Sequence, residues 1–260
     1  MNSKQAWAAL ALAGTLIGAA LPSAAQTVVT FGQGNEGWTG PQGVGGATFI
    51  DPALGNAAPA LHTVFEDFGI TFRTTTNAAF VGDYTQSPSV TLGLDVLTQS
   101  IQFFGQNVTR RLVVELRDHD NPAEGYPYTS VWATLGTLSS ANAGWQHLSV
   151  TIADTSATAL PTGWGGYGAE DPVTFEPTLP PGRTFASVLA GVDELVFTTL
   201  VPGFFYGFTD FDVAIDNVSI TAVPEPASAL LLGLGLSFGI GGLLLHRRRA
   251  APLERQDSMR

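Results

Sequence analysis

Short stretches of strictly alternating apolar and polar side chains most limit how this chain can fold. From Val90 to Val96 every even-numbered residue is apolar and every odd-numbered residue is polar or glycine. The same period of two recurs at 111–117 and at 147–152. Because the side chains of a β-strand point alternately to its two faces, each stretch predicts a strand with one buried and one wet face. Such strands favour antiparallel sheets stacked as a sandwich.

Further strands are predicted where β-branched and aromatic residues lie between clusters of Gly, Pro, Asn and Asp. These segments are 27–31, 69–74, 100–104, 129–135, 194–199 and 211–222. Apolar residues at 185, 188, 189 and 192 follow helical spacing and predict one short helix. The predicted fold class is therefore an all-β, antiparallel, jelly-roll-like sandwich with one short helix.

The last predicted strand changes phase along its length. Its apolar residues are odd-numbered up to Ile215 and even-numbered from Val218 onward. Since side chains alternate strictly in a regular strand, one extra residue must be absorbed between them. We expect a β-bulge near Asp216 and Asn217.

The first 25 residues have the three-part layout of a secretory signal peptide. Lys4 precedes an apolar run from 6 to 21, which Pro22 ends before the small residues Ser23, Ala24 and Ala25. We expect the secretion machinery to export the chain and cleavage to follow Ala25. A retained membrane anchor is the alternative, but the run is short for the ~20 residues of a spanning helix.

The other end carries a second apolar segment. Residues 227–245 hold no charge, and at ~1.5 Å per residue they form a helix of about 28 Å, close to the hydrocarbon thickness of a bilayer. Arg247, Arg248 and Arg249 follow directly. By the positive-inside rule these arginines place the tail at 251–260 in the cytoplasm and the body, 26–222, outside the inner membrane.

The order of Pro224, Glu225 and Pro226, an apolar helix and an arginine cluster closely resembles the PEP-CTERM sorting signal, here at 223–250. In Gram-negative bacteria that make exopolysaccharide, the resemblance implies processing by an exosortase and delivery to the cell surface or extracellular matrix. The three residues from Pro224 to Pro226 would be the recognition element. A plain single-pass anchor, with prolines that merely end the preceding strand, is the alternative.

Charge narrows the range of partners for the body. Residues 26–222 hold nineteen Asp and Glu, five Arg and no Lys, a formal charge of −14. A surface this acidic repels nucleic acid and anionic lipid, and it favours divalent cations or neutral sugars. The chain has no cysteine, which excludes cysteine nucleophiles, cysteine zinc sites and iron–sulfur clusters.

Several short motifs of the body are similar to those of galactose-binding-like and laminin-B-like β-sandwiches. They are the Gly37-Trp38 pair, the helix-then-strand segment 187–199 and the terminal segment 215–220. The resemblance implies a binding module, often with a structural calcium, rather than an enzyme. A sandwich without any ligand would show the same strands.

Clustered carboxylates are candidate calcium ligands, because calcium requires hard oxygen donors. Asp118, Asp120 and Glu124 follow a predicted strand, and Asp212 and Asp216 lie near the predicted bulge. The spacing after Asp118 departs from that of an EF-hand loop, which has Gly where this chain has Ala123. A solvated acidic turn is the alternative.

Aromatic residues of the body are candidates for stacking on sugars. Among them, Trp164 and Tyr167 lie in a glycine-rich segment that we expect to be an exposed loop. No nucleophile motif accompanies the histidines, so no catalytic residue is assigned. We therefore predict an exported surface or matrix protein whose body binds polysaccharide or is structural. The alternative is an exported glycan hydrolase, since two carboxylates suffice for that chemistry.

Overall fold

The computed structural model describes residues 25–223, which form antiparallel β-sheets that enclose one hydrophobic core. The strands are β1 (Ala25–Val29), β2 (Trp38–Thr39), β3 (Gln42–Gly43), β4 (Gly46–Asp51), β5 (Ala60–Asp67), β6 (Thr71–Thr74), β7 (Ser89–Phe103), β8 (Gln106–Asn107), β9 (Arg110–Asp118), β10 (Thr129–Leu138), β11 (Gln146–Ile152), β12 (Trp164–Tyr167), β13 (Ala169–Glu170), β14 (Pro177–Thr178), β15 (Glu194–Thr198) and β16 (Thr209–Val223). Over 25–223 the only α-helix is α1 (Phe185–Leu189). The predicted antiparallel sandwich with one short helix is confirmed.

Two large sheets build the sandwich. The eight-stranded sheet has the order β11-β7-β16-β5-β4-β3, with β1 also paired to β16 and β8 to β7. The six-stranded sheet has the order β12-β10-β9-β15-β6-β2, while β13 and β14 form a separate pair. Among residues 25–223 no helix is long and apolar enough to cross a membrane. The predicted signal peptide up to residue 24, the sorting motif, the spanning segment and the cytoplasmic tail lie outside the described residues.

The inward side chains of both sheets form the core. Trp38, on β2, is fully buried; its ring stacks on that of Phe197 at 5.7 Å between centroids and meets Phe80 edge-on at 5.3 Å. Full burial of a phenylalanine side chain stabilises a fold by about 1.5–3 kcal/mol relative to exposure. These aromatic contacts therefore fasten the edge strand β2 to the centre of the six-stranded sheet.

The longest strands of the sandwich, β7 and β16, have 15 residues each and pair with each other almost throughout. The register of this pair shifts between Asp216 and Ser219, and Asn217 has a φ of 47°. The bulge expected from the phase change is thus confirmed. β7 also joins two segments that the sequence predicts as separate strands.

The sequence patterns miss β4 and β5, which occupy one side of the eight-stranded sheet. Polar side chains in these strands are buried, so their sequence lacks a clear alternation: Thr48 is paired with Thr63 through their hydroxyl oxygens at 2.7 Å, and His62 is buried as well. Cross-strand hydrogen bonds of this kind let a strand keep polar residues inside a sheet.

Candidate functional site

The outer face of the six-stranded sheet presents a row of side chains that crosses all six strands. The strand registers place these residues side by side: Gly165, Trp132, Glu115, Val196, Arg73 and Thr39. With neighbouring strands ~4.8 Å apart, the row is about 24 Å long. Its middle residues Glu115 and Val196 are buried, so an extended ligand across the strands would contact chiefly the two ends of the row.

A network of charged side chains occupies the middle of this face. Arg117 donates to Glu115 Oε2 from Nε (2.9 Å) and Nη2 (2.6 Å), and its Nη1 donates to Glu194 Oε2 at 3.2 Å. The hydroxyl of Ser130 donates to Glu115 Oε1 at 2.6 Å, and Arg73 Nη1 donates to Glu194 Oε1 at 3.2 Å. Glu115 is only 1% exposed. Each carboxylate is therefore buried beside an arginine.

The pKa values of Glu194 and Arg117 both shift toward the charged forms. Burial acts to raise the pKa of Glu194, but the Arg117 charge and its hydrogen bond outweigh burial and hold that pKa below its usual value. Burial acts to lower the pKa of Arg117, and the nearby Glu115 charge outweighs it and raises that pKa. A carboxyl whose pKa is lowered is a poor proton donor at neutral pH, so Glu194 does not suit the role of general acid.

Tyrosines and one histidine flank the network where β9 ends and β10 begins. The Arg117 guanidinium lies 4.4 Å from the ring centroid of Tyr128, and the Tyr128 ring is 5.1 Å from that of Tyr167. Tyr126 meets Tyr167 edge-on at 5.4 Å, and His119 meets Tyr128 at 5.5 Å. Burial raises the pKa of both Tyr128 and Tyr167, so their hydroxyls stay protonated and can donate hydrogen bonds.

Glycine at position 165 shapes the aromatic end of the row. A Cβ atom there would overlap the indole of Trp132, which stands opposite it on β10. The ring therefore rests against the backbone of β12 instead of being displaced by a side chain. The Trp132 Nε1 atom is buried and has no hydrogen-bond partner among the described residues.

Open space adjoins the opposite end of the row. A cavity of about 250 Å³ is lined by Thr71, Arg73 and Arg117 of the sheet and by Asp67 and Leu200 of neighbouring segments. A second cavity of about 430 Å³ also contains Arg73. Of the five arginines in the described residues, only Arg73 is exposed, so most of its donors point to solvent.

The structure separates the two predicted ligand-binding residues. Tyr167 belongs to the tyrosine group, whereas Trp164 begins β12 and meets Phe185 edge-on at 5.1 Å. The expectation that Trp164 lies in an exposed loop is wrong: the glycines around it belong to a strand, and its ring packs against the core. Trp164 also lines a cavity of about 510 Å³ with Leu160 and Pro161. A role for it in ligand binding stays a prediction.

The predicted calcium ligands have different partners. Carboxylate oxygens of Asp118, Asp120 and Asp193 lie within 4.8 Å of one another, a group that does not include Glu124. Asp118 forms an ion pair with Arg183 and accepts the backbone N–H of Asp120 at 2.7 Å. Calcium binding at this turn stays a prediction.

Asp212 and Asp216 are not brought together as a metal site within 25–223. Asp212 pairs with Nε2 of the buried His62 at 2.7 Å. Asp216 is fully buried and accepts backbone N–H groups from Asn56 at 2.8 Å and Asn217 at 2.7 Å. These contacts fasten the segment before β5 onto the eight-stranded sheet.

Sequence reasoning missed the ion-pair network. Arg73, Glu115, Arg117 and Glu194 lie on three strands that are far apart in the chain. The outward positions of Glu115 and Arg117 are visible in the alternation of β9, but their partners appear only once β15 and β6 are placed in register.

No protein-family model matches the chain, and no curated protein matches it. Solved structures with a similar fold include a family 22 xylan-binding domain from Paenibacillus barcinonensis (13% identity over 75% of this chain and 98% of that one, TM-score 0.41). A family 30 carbohydrate-binding module from Clostridium thermocellum has 14% identity over 75% of this chain and 93% of that one, with a TM-score of 0.42. The first match, a two-module xylanase fragment from C. thermocellum, has 13% identity over 75% of this chain (TM-score 0.41), and the present chain spans 28% of its length. These neighbours include carbohydrate-binding β-sandwiches, but likeness at this level assigns no ligand.

Proposed function

We propose that the body of this protein is a non-catalytic module that binds a neutral polysaccharide across the outer face of the six-stranded sheet. The observation that carries the proposal is the row itself, with Trp132 and Tyr167 at one end, buried ion pairs in the middle and an exposed Arg73 at the other. Aromatic rings offer stacking surfaces for sugars, and the exposed guanidinium of Arg73 can donate hydrogen bonds to sugar hydroxyls.

The charges of the site favour a binder over a hydrolase. A retaining or inverting glycosidase needs one carboxyl with a raised pKa to protonate the leaving group. Both glutamates of the network are instead paired with arginines, and the pKa of Glu194 is lowered. The body charge of −14 also opposes binding of polyanions, which supports a neutral glycan.

Affinity electrophoresis through gels that contain single neutral or acidic polysaccharides tests this proposal. We expect the wild-type protein to be retarded by at least one neutral polysaccharide and Tyr167→Ala to weaken that retention by about tenfold, as for the loss of a stacking ring and a hydroxyl contact. Phe175→Ala removes an equally large, exposed ring elsewhere and is the control. Unchanged retention of the Tyr167 variant, or release of sugar products by the wild type, would contradict the proposal.

We also propose that the chain is exported and held at the inner membrane by its PEP-CTERM signal, with the body outside, until an exosortase acts on it. In support, β16 ends at Val223, directly before Pro224. An alkaline phosphatase fusion should be active when inserted after Val223 and inactive at Arg260. Replacement of Pro224, Glu225 and Pro226 by alanine should leave unprocessed chain in the inner-membrane fraction. An active fusion at Arg260 would refute the topology.

A further inference from the structure

An exposed group of phenylalanines lies at one end of the sandwich. We call it the phenylalanine tip and define it as Phe68, Phe104, Phe204, Phe205 and Phe208. Each of these side chains is between 41% and 88% exposed. Three connections supply them: β5 to β6, β7 to β8 and β15 to β16.

Contacts between the three connections make the tip one continuous surface. The Phe68 ring lies 4.9 Å from that of Phe205 and 5.2 Å from that of Phe208. The Phe103 ring lies 4.5 Å from the Phe104 ring. The edge of the Phe103 ring also lies next to Gly207, where an added Cβ atom would be 2.5 Å from the Phe103 ring. Phe68, Phe205 and Phe208 thus support one another, whereas Phe104 contacts Phe103 and Phe204 contacts Tyr206.

The tip stands far from the point where the chain enters the predicted sorting tail. Phe208 precedes the first residue of β16, and Val223 is the last. At ~3.3 Å per residue, these 15 residues separate the two ends by about 45 Å. The tip and the point where β16 ends therefore lie at opposite ends of this strand.

We propose that the phenylalanine tip is a docking surface for a second copy of this chain. At roughly 200 Å² per phenylalanine, the exposed fractions amount to about 600 Å² of aromatic surface, at the upper limit of patches on monomeric proteins. A standard interface covers about 800 Å² on each partner. The exposed rings of the tip alone would supply about three-quarters of that area.

Charge at the rim favours this occupant over a lipid bilayer. The exposed carboxylates Glu66 and Asp210 face each other across β5 and β16 beside the tip, and they would repel anionic lipid. The Arg111 guanidinium lies 5.0 Å from the Phe204 ring on the same tip. In a two-fold contact, the cation of one copy can meet the carboxylates of the other.

Ring orientation disfavours a sugar as the occupant. Phe68 is tilted by 41° to Phe205 and by 70° to Phe208, so the rings do not form one flat platform. Rings that present both edges and faces can pack against another apolar protein surface.

Sedimentation of the full chain in density-matched detergent tests the proposal. We expect a concentration-dependent dimer for the wild type and a dissociation constant raised at least about tenfold in Phe104→Ser/Phe205→Ser, because two exposed anchors are lost. Val44→Ser/Phe175→Ser removes two equally exposed apolar side chains elsewhere and should dimerise like the wild type. Both variants keep the whole tail, so association through the tail would affect them equally.

Cross-linking supplies a second measurement that does not depend on the serine variants. The chain has no cysteine, so Asp210→Cys and Val44→Cys each carry a single thiol. A flexible bismaleimide should couple two copies through position 210 but not through position 44. A monomeric wild type at all concentrations, equal dimerisation of both serine variants, or equal cross-linking at both positions would overturn the proposal. If Tyr167→Ala loses glycan binding but still forms the dimer, the dimer proposal is supported independently of the proposed function.

Discussion

Within residues 25–223, Arg117 is the only cation that contacts both buried glutamates of the charged network, so its removal is the most informative perturbation of the fold. Its side chain is 14% exposed, and those of Glu115 and Glu194 are 1% and 3% exposed. Arg117→Met keeps an unbranched apolar stem but leaves Glu115 without a cationic partner. Breaking a buried ion pair by loss of one member costs about 3–5 kcal/mol, and we expect a loss of that size at pH 7.

The pH dependence of this loss has a definite sign. In the wild type the lowered pKa of Glu194 contributes stability that is present above the unfolded value and is lost as the pH falls through the folded value. Without Arg117, burial loses its largest counterweight and the pKa of Glu194 moves upward, so the variant loses less stability than the wild type as the pH falls. The difference in unfolding free energy between the two proteins should therefore narrow from pH 7 toward about pH 4.

Urea unfolding of both proteins, followed by circular dichroism between pH 4 and 7, measures this difference. The triple variant Glu115→Gln/Arg117→Met/Glu194→Gln is the control, because it removes the stranded charges together with the arginine. It should recover much of the lost stability. A loss below about 1 kcal/mol at pH 7, typical of a surface pair, or a loss that does not change with pH would refute the reasoning.

Two further substitutions test local features. Gly165→Ala should displace the Trp132 indole and weaken glycan retention about fivefold, with little change in melting temperature. Retention equal to that of the wild type would show that Trp132 takes no part in glycan binding. Asp216→Ala should lower stability by about 2 kcal/mol through loss of the acceptor for Asn56 and Asn217, as measured by urea unfolding. Because burial raises the pKa of Asp216, its contribution decreases as the pH rises, so the loss should be larger below about pH 4 than at pH 7; the opposite trend would contradict this account.

Alternation along single strands predicted much of the sandwich. It located β9 and β11, and the phase change located the bulge at Asp216 before any partner strand was known. It failed for β5, because the buried His62 satisfies its ring nitrogens with Asp51 and Asp212, and such polar burial hides the apolar face of a strand.

The site was less accessible from sequence than the fold. Tyr167 was identified because aromatic residues in a glycine-rich segment are candidates for an exposed binding loop. The same reasoning was wrong for Trp164, whose ring lies on the opposite, core-facing side of the same strand. Glu194 gave no signal of its own. Its role depends on Arg117 and Arg73 of other strands, and such neighbours follow from sheet register rather than from spacing along the chain.

The long ladder between β7 and β16 has a mechanical consequence for a tethered protein. β16 is hydrogen-bonded on both sides, to β7 along one side and to β5 and β1 along the other. A load applied at Val223 and resisted at the distant end would act along these strands, at right angles to hydrogen bonds that must then rupture together. The sheet would therefore be loaded in shear, the geometry in which strands resist separation most strongly.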